Sequence, residues 1–359
     1  MRLPIRALSL SLLLVSTALA CGTKNEAGFA SGPSDAGAFD ATTVDGAPIV
    51  GDDDSGLVLA TGDSAPTPPQ TCPPPAPAVG ADVVMAAPYT ASYTAYDLGA
   101  VPGVPDPLGG CVIASSDPNT LYVAGNSEDP SGAIYSIKVS RDACGHITGF
   151  VGTATSLGSM PYVDANLVYG PSDVLFYTEW PTYGLAQLLP GATSVSLDTT
   201  LQMDAGSAGG LGFVPPTLTA AGELRASSWP NGGAGGWFHV PYASADGGLF
   251  AIGTPVETTT VTEGGGFAYV PAGSPQFTNA AMLMAEWNGG KVAAYDVDSE
   301  GDPVPSTRRD FFSTFPKPWG AYFDAVTGDY LFLSWGVSPD EVYEVQGFSK
   351  PPPPPPPPK

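Results

Sequence analysis

The chain has 359 residues, with 45 Gly, 40 Pro, 10% aromatic and 13% charged residues, and a formal net charge of −23 from 12 basic and 35 acidic side chains. So acidic a surface repels phosphate backbones and excludes a nucleic-acid partner, which would need clustered Lys and Arg. Helix-favouring Glu, Lys and Arg are scarce while Val, Thr, Tyr and Phe are plentiful, which predicts a mostly β protein rich in turns.

Residues 1–20 have a basic start (Arg2, Arg6), an apolar run LSLSLLLVSTALA and small residues before Cys21. This tripartite pattern predicts a secretory signal peptide, its apolar run being short for the roughly 20 residues of a membrane span. Ala18-Leu19-Ala20 fits ordinary signal cleavage, and Ala20-Cys21-Gly22 resembles the lipobox of bacterial lipoproteins, with Ala18 where Leu is usual. That resemblance implies lipidation at Cys21, a membrane partner through the anchor, and an outer-membrane or periplasmic location; plain secretion is the alternative.

Residues 21–78 are dominated by Gly, Ala, Ser, Asp, Thr and Pro, with two aromatics (Phe29, Phe39), one Lys and eight acidic residues. Such a segment cannot bury enough apolar area to offset its ordering entropy, so it is expected to be a disordered acidic linker. A single folded domain is expected over 79–348. The polyproline tail at 349–359 favours an extended, stiff rod.

Between residues 90 and 348 a unit of about 50 residues recurs five times, at 108–126, 159–180, 208–229, 264–287 and 318–335. Each copy has a Gly-rich or Pro-rich lead-in, a short strand, a turn and a second strand. Four of these second strands end on Trp180, Trp229, Trp287 and Trp335, spaced by 49, 58 and 48 residues, and Asn126 precedes Trp180 by 54. Three short strands and a glycine joint at this period match a β-propeller blade.

A blade needs four strands. Candidate outer strands follow the first four copies at 146–154, 193–200, 249–257 and 306–314, but the fifth copy runs into Gly347 and the prolines. An orphan alternating segment, Ser92 to Leu98, precedes the first copy. We therefore expect an all-β propeller of five blades of four antiparallel strands, closed by this N-terminal outer strand so that no sheet edge stays open. Six blades is the alternative, should 80–100 contain a degenerate copy.

The fifth copy, PWGAYFDAVTGDYLFLSWG, resembles the repeat of secreted bacterial propellers of the NHL and SMP-30/lactonase-like group, through Phe323, Asp324, Thr327, Gly328, Asp329, Leu331 and Phe332. The resemblance implies a fold, because these families include sensors, scaffolds and enzymes. For a calcium-dependent lactonase it implies Asn and Asp converging on the channel, for which Asp164, Asn166 and Asp324 are the candidates.

In a blade, the joint before the first strand and the loop after the second lie on one face. The Trp ends and the carboxylates beside them thus share a rim, making Glu179, Trp180, Trp229, Glu286, Trp287 and Trp335 the expected ligand site. The alternative is inter-blade packing for the Trp residues and solvated carboxylates at loop mouths. Two His residues (His146, His239) are too few for a His-rich zinc centre, and no G-x-S-x-G elbow is present. Of the cysteines beyond Cys21, position in the blades favours a Cys72–Cys144 disulfide with Cys111 buried and reduced. With no complete catalytic set, the sequence points to a monomeric module binding a small molecule or protein on one face. The alternatives are a lactonase- or esterase-like hydrolase, with calcium as its cofactor, and a structural envelope component.

Overall fold

The computed structural model describes residues 77–203, 206–230 and 234–350. The signal segment, Cys21, nearly all of the linker with Cys72, and the tail beyond Lys350 lie outside the described residues.

Five four-stranded antiparallel sheets form a five-bladed β-propeller. Blade one comprises Cys111–Ile113, Thr120–Gly125, Ala133–Arg141 and Ile147–Ser159; blade two comprises Val163–Tyr169, Leu175–Glu179, Gly184–Leu188 and Leu197–Thr200. Blade three is Ala208–Phe213, Leu224–Ser228, Gly235–Val240 and Val256–Val261. Blade four is Phe267–Val270, Ala281–Glu286, Lys291–Asp296 and Arg309–Thr314. Pro318–Asp324, Asp329–Ser334 and Val342–Gln346 make blade five, and Thr94–Gly99 supplies its outer strand, with Thr94 opposite Gln346 and Ala95 opposite Val345.

Ring closure by the N-terminal strand is thus as the sequence predicts. Residues 80–100 contain no sixth blade. Val84–Met85 instead adds a short strand outside blade four, and Tyr89 and Tyr93 pack with Phe277, Phe311 and Phe348 between blades four and five. No helix among the described residues is long and apolar enough to cross a membrane.

Second strands are apolar on both faces because each blade is covered by a neighbour on either side. Ala281–Glu286 and Asp329–Ser334 are buried at every position. The buried apolar residues fall into five clusters, one in each seam between adjacent blades. Each large side chain buried there contributes about 1.5–3 kcal/mol.

Three outer strands differ from expectation. Blade one's extends to Ser159. Blade two's starts only at Leu197, because Ser194 is drawn into a parallel bridge with Ser159 of blade one. In blade three, Phe250–Ile252 does not join the blade but pairs with Tyr242–Ser244 in an extra hairpin, and the outer strand begins after Pro255. Phe250 anchors that hairpin on blade two, its N–H donating to Gln187 Oε1 at 2.9 Å.

Glycines at the lead-ins let the first strands crowd the axis. A methyl group on Gly209 would collide with the Gly264 carbonyl, and one on Gly320 with that of Gly109.

Candidate functional site

Asn166, from the first strand of blade two, plugs the central channel. Its Nδ2 donates to the Ala321 carbonyl of blade five at 2.7 Å and the Phe267 carbonyl of blade four at 3.3 Å. Its Oδ1 accepts the amides of Phe267 at 3.0 Å and of Leu211, in blade three, at 3.3 Å. One carboxamide therefore joins four blades with all its hydrogen-bonding capacity used.

The plug separates two mouths. One opens on a hollow of about 330 Å3 walled by residues such as Phe213, Tyr269 and Phe323, with no charged side chain in its lining. On the other, the chain brings together Trp180, Trp229, Trp287, Trp319 and Trp335 around a depression of about 240 Å3, with Glu128 as the sixth lining residue. The indoles meet edge to face, Trp229 and Trp319 with centroids 5.0 Å apart and Trp287 and Trp335 at 5.7 Å. Trp319 is buried, and the other four are half-buried, leaving ring surface to the depression.

Beside this depression lies a pair of carboxyls. Asp164 is fully buried, and its Oδ1 accepts Trp319 Nε1–H at 2.8 Å. Its Oδ2 meets no partner other than the Glu128 carboxyl. Burial, then the negative charge of Glu128, pushes the Asp164 pKa well above the carboxylate range. Burial likewise lifts Glu128 to about 7, moderated by a hydrogen bond with Asp164. Asp164 is therefore the member held more strongly toward its protonated form, and Glu128 the one that titrates near neutrality. Glu128 holds a positive φ of 65°, a conformation uncommon for Glu.

All four Trp residues expected at the site line it, but the carboxylates expected beside them do not. Glu179 turns into its own sheet, where it accepts Thr182 Oγ1–H at 2.9 Å and burial raises its pKa. Glu286 is occupied by Arg308, which donates Nε–H to Oε1 at 2.8 Å and a second N–H to Oε2, and Tyr295 donates to Oε1 at 3.1 Å. In both blades the glutamate is the last residue of the second strand and the Trp the first of the turn beyond it, so the glutamate keeps to partners in its own blade while the Trp reaches the depression.

Asp164, Asn166 and Asp324 do not converge. Asn166 is consumed by backbone groups, and Asp324 is paired with Arg141 at 2.7 Å in the seam between blades one and five. This trio does not fit a calcium ion, which takes six to eight oxygens.

Glu128 escaped the sequence reading, which places Trp319 on the rim only as part of the Trp319-Gly320 lead-in and not among the ligand residues. Trp319 sits one residue before the lead-in glycine of the fifth copy. Glu128 belongs to the copy in which Asn126 replaces the Trp, so the irregular copy was itself the available signal.

A second polar cluster lies in the seam between blades one and five, where ligand-type atoms of His146, Asp329 and Glu344 all fall within 4.8 Å of one another. His146 Nδ1 is 2.6 Å from Asp329 Oδ2, and Glu344 Oε1 accepts the Ile147 amide at 2.9 Å. Nearby Cys144 is disulfide-bonded and Cys111 is a buried free thiol. The expected partner, Cys72, lies outside the described residues.

No protein-family model matches the chain, and no curated protein sequence does. Among solved structures, it is similar to a gluconolactonase from Xanthomonas campestris (14% identity, 77% of this chain and 98% of that one, TM-score 0.40). It is also similar to a PQQ-bound aldose sugar dehydrogenase from Streptomyces coelicolor (11% identity, 70% and 83% covered, TM-score 0.39). A streptogramin B lyase gives 9% identity, 71% and 98% covered, and a TM-score of 0.35. These likenesses go no further than the propeller architecture.

Proposed function

We propose that the protein is a small-ligand-binding propeller of the cell envelope, held there by a lipid on Cys21 and acting through the Trp-walled depression. The observation that carries the reading is the convergence of five indoles from four blades on one hollow with a titrating carboxyl in its lining. Half-buried aromatic clusters are rarely left open to water without a ligand to cover them. Soaking crystals with a fragment library tests it: density inside the depression, against the half-buried Trp rings, is expected, and a depression that stays empty while fragments bind elsewhere overturns it. For the anchor, Cys21→Ala should move the protein from the membrane fraction to the soluble one.

A hydrolytic reading, of the lactonase or esterase type, is favoured by one specific observation, the Glu128–Asp164 pair. A carboxyl titrating near 7 beside a pocket is poised to take a proton from an attacking water and return it to a leaving alkoxide. Hydrolysis of D-glucono-δ-lactone, rising with pH through about 7 and lost in Glu128→Gln, would establish it. An unchanged rate in that variant would reject it.

A further inference from the structure

Resting on the Trp depression as a small-ligand site, we infer that its ligand is a compact organic cation of the methylated-ammonium class, seated on indole faces with the Glu128–Asp164 pair as its counter-charge. Three features of the lining lead there. First, one lining side chain ionises and the other five are indoles. A sugar or lactone would need several directional polar partners around its ring, which this lining does not offer. A neutral apolar ligand would leave the carboxyl desolvated without compensation.

Second, indole faces carry negative electrostatic potential and attract cations, most strongly where water is excluded. The chain already uses this on itself. Lys317 Nζ lies 4.0 Å from the centroid of Trp287, and Lys317 is not part of the lining.

Third, Asp164, fully buried, is paired with Glu128, the one lining residue that can become an anion, and no cationic side chain is in the lining. Such a pair is stabilised by a positive charge brought next to it. The volume, about 240 Å3, falls below the roughly 300–1,000 Å3 of pockets for larger ligands, so the occupant is compact. The net charge of −23 adds a long-range attraction for cations.

Calorimetry and Trp fluorescence on the folded protein at pH 8 test the inference, with choline, tetramethylammonium, 3,3-dimethylbutan-1-ol (the uncharged isostere of choline) and D-glucono-δ-lactone as probes. Choline and tetramethylammonium should bind at least about tenfold more tightly than the isostere. Glu128→Gln should weaken choline about fivefold or more, and Trp180→Leu, which leaves the carboxyl pair intact, should weaken it as well. Flotation with phosphatidylcholine vesicles, competed by free choline, would make the source a lipid headgroup; choline binding without flotation would make it a free solute.

Equal affinity for choline and its isostere would overturn the inference while leaving an apolar ligand site. Tighter binding of the lactone would overturn it while leaving the small-ligand reading. If no probe binds, the cation inference falls, and the fragment soak separately decides the depression.

Discussion

Trp319 Nε1 donates to Asp164 Oδ1 at 2.8 Å, tying the start of blade five's first strand to that of blade two across the channel. The contact joins residues separated by 155 positions and orients one wall of the Trp depression from the carboxyl pair beside it.

Because burial and the charge of Glu128 favour the protonated form of Asp164, an amide should replace it with little loss. Asp164→Asn can accept from Trp319 and donate to Glu128, so a stability change within about 1 kcal/mol is expected. Asp164→Ala removes the acceptor and leaves a void, costing about 2–3 kcal/mol by urea denaturation. An equal loss in both variants would show that Asp164 is ionised in the fold.

Asn166 should be among the most sensitive positions of the propeller. Asn166→Ala strands two backbone amides and two carbonyls at the axis and should cost about 3 kcal/mol or more. Asn166→Asp keeps the acceptor but loses both donors and brings a buried charge, so it should also destabilise, increasingly as pH rises. Denaturation at pH 5 and pH 8 measures both, and an unchanged midpoint for Asn166→Ala would contradict its role as the plug.

The seam between blades one and five should become less stable as pH rises. Burial, then the charge of Asp329, raises the Glu344 pKa from 4.5 to about 8, and Asp329 is raised as well despite His146. Between these values the folded chain holds protons that the unfolded chain has released, so this contribution is fully present below about 4.5 and is lost as pH approaches 8. Glu344→Gln retains an acceptor for the Ile147 amide without the titrating proton. Its melting temperature should therefore gain on the native protein steadily from pH 5 to pH 8, by a few degrees in all. Parallel curves over that range would refute the assignment.

Ring closure places a heavy load on Tyr93, whose ring lies 4.3 Å from that of Phe348 and whose hydroxyl donates to the Pro275 carbonyl. Tyr93→Ala should cost about 3–5 kcal/mol, like other large-to-small core replacements. Deletion of 85–100 should abolish cooperative melting of the monomer, since it exposes the edge of Val342–Gln346. A truncated monomer that melts as before would mean that the N-terminal strand is dispensable to the ring.

Much of the architecture could be read from the chain because it depends on local pattern. Short alternating strands, glycines at a fixed place in each unit and a period of about 50 residues specify blades, and the missing fourth strand of the last copy pointed to Ser92–Leu98. Outer strands were less legible. They lie farthest from the axis, where neighbours such as Ser159 for Ser194 and Gln187 for Phe250 decide the pairing.

By itself the sequence determined the five-fold repetition, the all-β class, the closing strand and the gathering of four Trp residues on one rim, since hydrophobic alternation and turn glycines act over a few residues. Which carboxyl serves that rim was decided only by the tertiary structure. The Glu beside Trp180 and the Glu beside Trp287 are held by partners in their own blades, while Glu128 and Asp164, on different blades, meet because the ring closes. Their shifted protonation arises from burial in a space that exists only when the blades are assembled.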